Sequence, residues 1–166
     1  MSRLVDFYRG LAADCEGRRL QEIWDWPDRE WEYVHDFIQW LFPLPEPSRF
    51  NPDAPLLTAE DVQSFRDDEQ LRANLRLSFA RMLTFMGLTA TTGTVAEGPN
   101  FAARAADVWE AANHNWLRIT RVLRCLTLLG LGAEARALYA WLEMTYRQRR
   151  FPIAPDTFHY WTDAVA

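Results

Sequence analysis

Asn113-His114-Asn115-Trp116-Leu117-Arg118-Ile119-Thr120-Arg121-Val122-Leu123-Arg124-Cys125-Leu126-Thr127-Leu128-Leu129 is the stretch on which the fold turns. Leu117, Val122, Leu123, Leu126 and Leu129 spread over a wide arc at helical spacing, the pattern of a helix buried on several sides. Gly130 and Gly132 supply its end. Its most apolar part, Val122 to Ala133, is interrupted by Arg124 and is far too short to cross a bilayer. The sequence therefore places a central, buried helix here, around which the rest of the chain packs.

The flanking segments carry the same period. Ser2 caps a first helix whose apolar positions are Leu4, Tyr8, Leu11 and Cys15, with Gly17 as its end. A short helix from Arg19 to Trp26 stops at Pro27. Asp28 caps another, with Trp31, Val34, Ile38 and Leu41 as its stripe and Pro43 as its terminator. Five prolines between Pro43 and Pro55 exclude regular structure. Leu44, Phe50 and Leu56 predict that this stiff segment lies ordered along the core. Thr58 and Asp61 open a helix to Asp67, and a longer one runs from Glu69 to Met86 with Leu71, Leu75, Phe79, Met82 and Met86 inward. Gly87 is its left-handed cap. Leu88 to Gly98 is predicted as a loop. Pro99 then starts a helix bearing Phe101, Ala105, Val108 and Trp109. Beyond the central helix, Ala133 to Arg149 is helical, with Leu138, Tyr139, Leu142 and Tyr146 inward and Arg147, Arg149 and Arg150 at its negative end. Asp156 caps a last short helix through Trp161. No stretch alternates with period two. The expectation is an all-α, single-domain bundle of eight or nine helices with mixed crossing angles.

Composition bounds the function. At 166 residues the chain can bury about 70% of its unfolded surface, and 49% of it is apolar. The net charge is -5, which argues against a nucleic-acid partner. All 18 basic residues are arginine, the signature of a GC-rich, bacterial coding sequence. The start, with Asp6 and Arg9 breaking the apolar run, has no signal-peptide form. Cys15 and Cys125 stand apart from each other and from any His, so they read as buried thiols of a reducing cytoplasm, with no metal site and no cofactor.

Two segments carry a resemblance. One is His35-Asp36-Phe37-Ile38-Gln39-Trp40-Leu41-Phe42-Pro43, continued by Glu46-Pro47, Asn51, Ala54-Pro55 and Leu57-Thr58. The other is His114-Asn115 with Leu117-Arg118-Ile119-Thr120-Arg121-Val122-Leu123 and Leu128-Leu129-Gly130-Leu131. Phe7-Tyr8, Phe85-Met86-Gly87-Leu88, Gly93-Thr94-Val95 and Tyr160 extend it in order. Together they resemble the conserved region of opioid growth factor receptors. The resemblance implies a helical domain and, in animal members, an intracellular receptor for an enkephalin-type peptide, associated with the nucleus. Glu97-Gly98 departs from a more basic stretch in those members. The repetitive tails of the animal proteins are absent, which points to a stand-alone bacterial-type domain whose ligand the family name does not identify. The resemblance brings no catalytic residues with it.

The chemistry-bearing patterns are few. His35-Asp36 invites a metal-dependent phosphohydrolase reading, but no His precedes it to complete the shell. No Ser sits in a nucleophile elbow, and Thr91-Thr92-Gly93-Thr94 lacks the Gly and Lys of a phosphate cradle. Trp24, Trp26, Trp31 and Trp40 could form an aromatic cage, but such residues are more often core. No catalytic residue is assigned. What remains is a polar stripe: His114, Arg118 and Arg121 share one face of the central helix, beside Asn115. His35, Asp36 and Gln39 offer a second polar set, His35 and Gln39 at helical i, i+4 spacing. These seven residues are the candidate ligand-binding set. They read either as a structural network in which Asp36 or another carboxylate pairs with Arg118 or Arg121, or as a site for a carboxylate or phosphate. The leading expectation is a non-enzymatic module, monomeric or weakly dimeric, that binds a peptide or protein. The alternative is a small-ligand protein or enzyme with a polar pocket for an anion.

Overall fold

A computed structural model describes residues 2–166. Among the described residues the chain forms ten helices and one two-stranded hairpin, so the fold is all-α with one small addition. The chain divides into two compact units, Met1–Phe79 and Ala80–Ala166.

The first unit holds α1 (Arg3–Tyr8), α2 (Leu20–Asp25), α3 (Asp28–Tyr33), α4 (Ile38–Leu41), α5 (Ala59–Asp67) and the start of α6 (Glu69–Phe85). The Ser2 hydroxyl accepts the Val5 N–H as expected. The helix it opens is much shorter than the spacing predicts. Gly10 takes a left-handed φ of 76°, the Gly10 N–H donates to the Phe7 carbonyl, and the Leu11 N–H reaches back to Asp6. This closed turn satisfies the last carbonyls at once, so the helix ends there. Leu11 is left exposed, and so is Cys15, against the expectation of a buried thiol.

The single helix expected from Asp28 to Leu41 is two. Asp28 lies inside the first turn behind Pro27, and the chain becomes extended at Val34 before α4 begins. Phe37 fills the break. It is fully buried, with its ring edge-on to Trp26 at 5.4 Å and Trp31 at 5.0 Å. Each such ring pair contributes about 0.5–1.5 kcal/mol beyond its area burial. Trp31 and Trp40 are core, and Trp24 and Trp26 are half-buried. Tyr8 ties the unit together: its hydroxyl donates to the Leu41 carbonyl and lies 2.9 Å from Ser78 Oγ, which also accepts the Trp24 indole N–H at 2.9 Å.

The proline-rich segment is pinched at its base, where the Leu57 N–H donates to the Leu44 carbonyl at 3.0 Å. Its apolar side chains are not placed as predicted: Phe50 is 79% exposed and Leu56 is exposed, while Leu57 is buried. α5 opens with a full capping box between Thr58 and Asp61, stronger than the sequence echo suggested.

The second unit contains the end of α6, β1 (Leu88–Thr91), β2 (Thr94–Glu97), α7 (Phe101–Val108), α8 (Asn115–Leu128), α9 (Gly132–Arg147) and α10 (Pro155–Ala164). Gly87 takes φ 79° at the end of α6, and a Cβ there would stand 2.9 Å from the Phe101 Cα. The predicted loop after it is a hairpin. Thr92 and Gly93 both have positive φ, the signature of the two-residue turn whose twist matches paired strands. Only Leu88 and Val95 of the two strands point inward, too few to show as alternation.

α8 is the centre of this unit and packs on α9 and α10. Val122, Leu123, Leu126 and Leu129 are fully buried, and Ile119 and Cys125 join them. Leu117, placed inward by the sequence, is 59% exposed. Pro155, not Asp156, opens α10. Burial holds the Cys125 thiol far above its ordinary pKa, against a smaller pull from Arg121. A thiol-disulfide reagent should therefore titrate one cysteine, Cys15, rapidly in the native protein, and the second only in denaturant. Two fast thiols would contradict the placement of Cys125.

Candidate functional site

The first signature segment organises a carboxylate–guanidinium cluster. Asp14 has a fully buried side chain. One of its oxygens accepts the backbone N–H groups of Glu16 and Arg18, each at 2.9 Å. The other takes Arg18 Nε at 2.7 Å, and Arg18 Nη1 continues to Asp36 at 2.8 Å. The same guanidinium lies over the Trp26 ring at 5.4 Å. Burial works against its charge, yet the hydrogen bonds to Asp36 and Asp14 win, and the Arg18 pKa is raised. Gln39 is buried beside Asn51, whose amide lies 3.4 Å from both Gln39 Oε1 and the Asp36 carbonyl. His35 is exposed in the break between α3 and α4, so it does not share a helical face with Gln39. Asp36 is committed to Arg18, a partner that the sequence reading missed. Its signal was weak, since Arg18 and Asp36 both lie outside helices, with α2 and α3 between them.

The second signature segment lies on α8. Asn113 sets up its start: its side-chain oxygen accepts the Asn115 N–H at 2.9 Å, and its amide donates to the Val108 and Ala111 carbonyls. Asn115 is fully buried and Arg118 is 6% exposed. Arg118 Nη1 lies 3.4 Å from Asn115 Oδ1, so part of its hydrogen-bonding need is met one turn back on its own helix. His114 and Arg121 are half-buried. The four residues differ in access: Arg118 and Asn115 are sealed, while His114 and Arg121 are half-buried, with His114 Nε2 out of contact with solvent.

A third feature was not singled out from the sequence. The end of α9 and the chain beyond it line a half-open depression of about 710 Å³, with Tyr146, Arg147, Arg149, Arg150, Phe151 and Ile153 among its walls. Arg147 pairs with Glu143 at 3.2 Å, and Arg150 pairs with Glu97. Arg150 also lies over the rings of Phe101 and Phe151, at 5.2 and 5.1 Å. From the sequence, these arginines read only as companions of the helix dipole. The adjacent Phe151-Pro152-Ile153 was the available clue, since a basic run followed by apolar residues makes a mixed surface.

No three His, Cys, Asp or Glu side chains group as a metal shell among the described residues. Nor is any helix among them long and apolar enough to cross a membrane.

These elements define a helical protein in which each compact unit carries a polar cluster built on one signature segment. The family model for the opioid growth factor receptor (OGFr) conserved region matches residues 7–166, and the chain belongs to that family. The opioid growth factor receptor of Mus musculus is 38% identical over 97% of this chain and 26% of its own length. The Homo sapiens receptor is 37% identical over 97% of this chain and 25% of its own. Opioid growth factor receptor-like protein 1 of Mus musculus is 35% identical over 78% of this chain and 29% of its own. The chain thus spans about a quarter of the length of these curated relatives. No solved structure matches it.

Proposed function

We propose that the chain is a non-enzymatic binding module that takes a peptide or protein partner. The observation that carries this reading is family membership over residues 7–166, shared with proteins named as receptors for an opioid growth factor. On α8, the half-buried His114 and Arg121 supply the ligand contacts. Buried Asn115 and Arg118 hold that segment from behind; in the first unit, exposed His35 belongs to a segment held by buried Gln39 and by the Asp36–Arg18 pair. Both cysteines are free, which fits a reducing, cytoplasmic setting.

The test is a displayed peptide library panned against the native domain, with enriched sequences re-measured as synthetic peptides by calorimetry. At least one peptide should bind saturably. The His114→Ala/Arg121→Ala double variant should weaken it fivefold or more while unfolding at the same denaturant concentration within error. Enrichment no better on the native domain than on the unfolded one would remove the binding reading.

A further inference from the structure

Most helix ends in this chain that close through a left-handed residue use glycine. Gly10, Gly87 and Gly130 hold that conformation, with φ of 76°, 79° and 91°. The end of α9 uses Arg149, at φ 52°. The closing hydrogen bonds there are complete: the Arg149 N–H donates to the Tyr146 carbonyl at 3.0 Å, and the Arg150 N–H to Thr145 at 3.1 Å. Glycine would make the same bonds without the clash between a Cβ and the following carbonyl. The closing hydrogen bonds therefore gain nothing from an arginine, and the attraction of its charge to the negative helix end is smaller than the cost of a left-handed residue with a Cβ. Strain of this kind persists where the side chain serves another purpose.

The side chain has such a setting. Arg149 is exposed, and its guanidinium makes no ion pair or hydrogen bond with the described residues. It borders the depression together with Arg147 and Arg150. Those two are already partly neutralised by Glu143 and Glu97, and Asp156 stands exposed beyond Pro155. The uncommitted positive charge is thus Arg149's own. The floor beside it is apolar, from Phe151, Pro152 and Ile153. A carboxylate can take the planar guanidinium through two parallel hydrogen bonds, and a neighbouring apolar side chain can cover the floor.

We propose that this depression docks a short acidic peptide segment of a partner protein, in which a Glu or Asp pairs with Arg149 and an adjacent apolar residue lies on Phe151 and Ile153. A net charge of -5 repels long polyanions, so one or two carboxylates on an otherwise apolar strand fit better than nucleic acid. The proposal rests on the binding-module reading for its choice of a peptide as occupant, but it uses none of the residues of α8.

The decisive measurement is fluorescence anisotropy with a fluorescein-labelled Glu-Leu-Glu-Phe-Glu peptide and its all-Gln counterpart. Wild type should bind the Glu peptide saturably and the Gln peptide at least tenfold more weakly. Arg149→Gly should weaken the Glu peptide at least tenfold, with a melting temperature equal to or above that of wild type. Arg49→Gly, which removes the same charge from the proline-rich segment, should leave binding unchanged. Equal affinity in wild type and Arg149→Gly would overturn the site, and so would a lower melting temperature in that variant, since the arginine would then serve the fold. Competition by inorganic phosphate or an oligonucleotide at equal charge would overturn the peptide assignment. Library peptides that bind wild type and ignore Arg149→Gly would remove this site while leaving the binding-module reading in place.

Discussion

Trp109→Ala should lower the unfolding free energy by about 3–5 kcal/mol, close to the whole stability of a marginal domain. Three losses add. The indole is fully buried, so its removal leaves a large cavity. Its N–H donates to the Met86 carbonyl at 2.9 Å, an acceptor that would stay buried without a partner. Its ring meets Trp141 at 4.9 Å and Phe151 at 5.8 Å. Trp109→Phe keeps most of the volume and loses the hydrogen bond, so it should cost about 1–3 kcal/mol. Urea unfolding followed by far-ultraviolet circular dichroism reads both. A Trp109→Ala loss below about 1 kcal/mol would mean that the site collapses around the gap. Phe151 links this core position to the depression at the end of α9, so the alanine variant should also loosen the acidic-peptide site.

Trp109 was legible in the sequence because Phe101, Ala105, Val108 and Trp109 follow helical spacing, and the structure buries all four. The core of α8 was legible on the same ground. What escaped the sequence was decided by distant contacts or by single backbone angles. The pattern Trp31, Val34, Ile38, Leu41 continues smoothly across a break that exists because Phe37 is drawn between two tryptophans and Asp36 is drawn to Arg18. Leu11 and Cys15 continue the period of α1, yet Gly10 turns the chain before reaching them. The hairpin buries one side chain per strand, below what any alternation test can see. For the candidate site, the shared face of His114, Arg118 and Arg121 follows from spacing, but their unequal access does not. Asn115 meets Arg118 from one turn back and is sealed with it, while Leu117, in the same turn, faces solvent. Arg149 shows the limit most directly. Its residue type is plain in the sequence, and only its left-handed backbone marks it as out of place.

Asp14→Ala should cost about 3 kcal/mol, more than its position in an irregular loop suggests. The carboxylate is the hub of the first unit's polar cluster, with two backbone N–H groups and the Arg18 guanidinium on it. Its removal takes the shared acceptor from those donors, and Asp36 is then the one carboxylate paired with Arg18, from a side chain that is 46% exposed. An exposed pair of that kind contributes about 1 kcal/mol or less. Asp14→Asn keeps an acceptor for the backbone donors but loses the charge, so its cost should fall between wild type and the alanine variant. Arg18→Met should also destabilise the protein, because it leaves Asp14 buried and charged with only two backbone partners. In a double-mutant cycle, Asp14→Ala combined with Arg18→Met should cost much less than the sum of the single changes, since each already breaks the same pair. Strict additivity would show that the two residues act separately, and that the turn between α1 and α2 is held by its backbone alone.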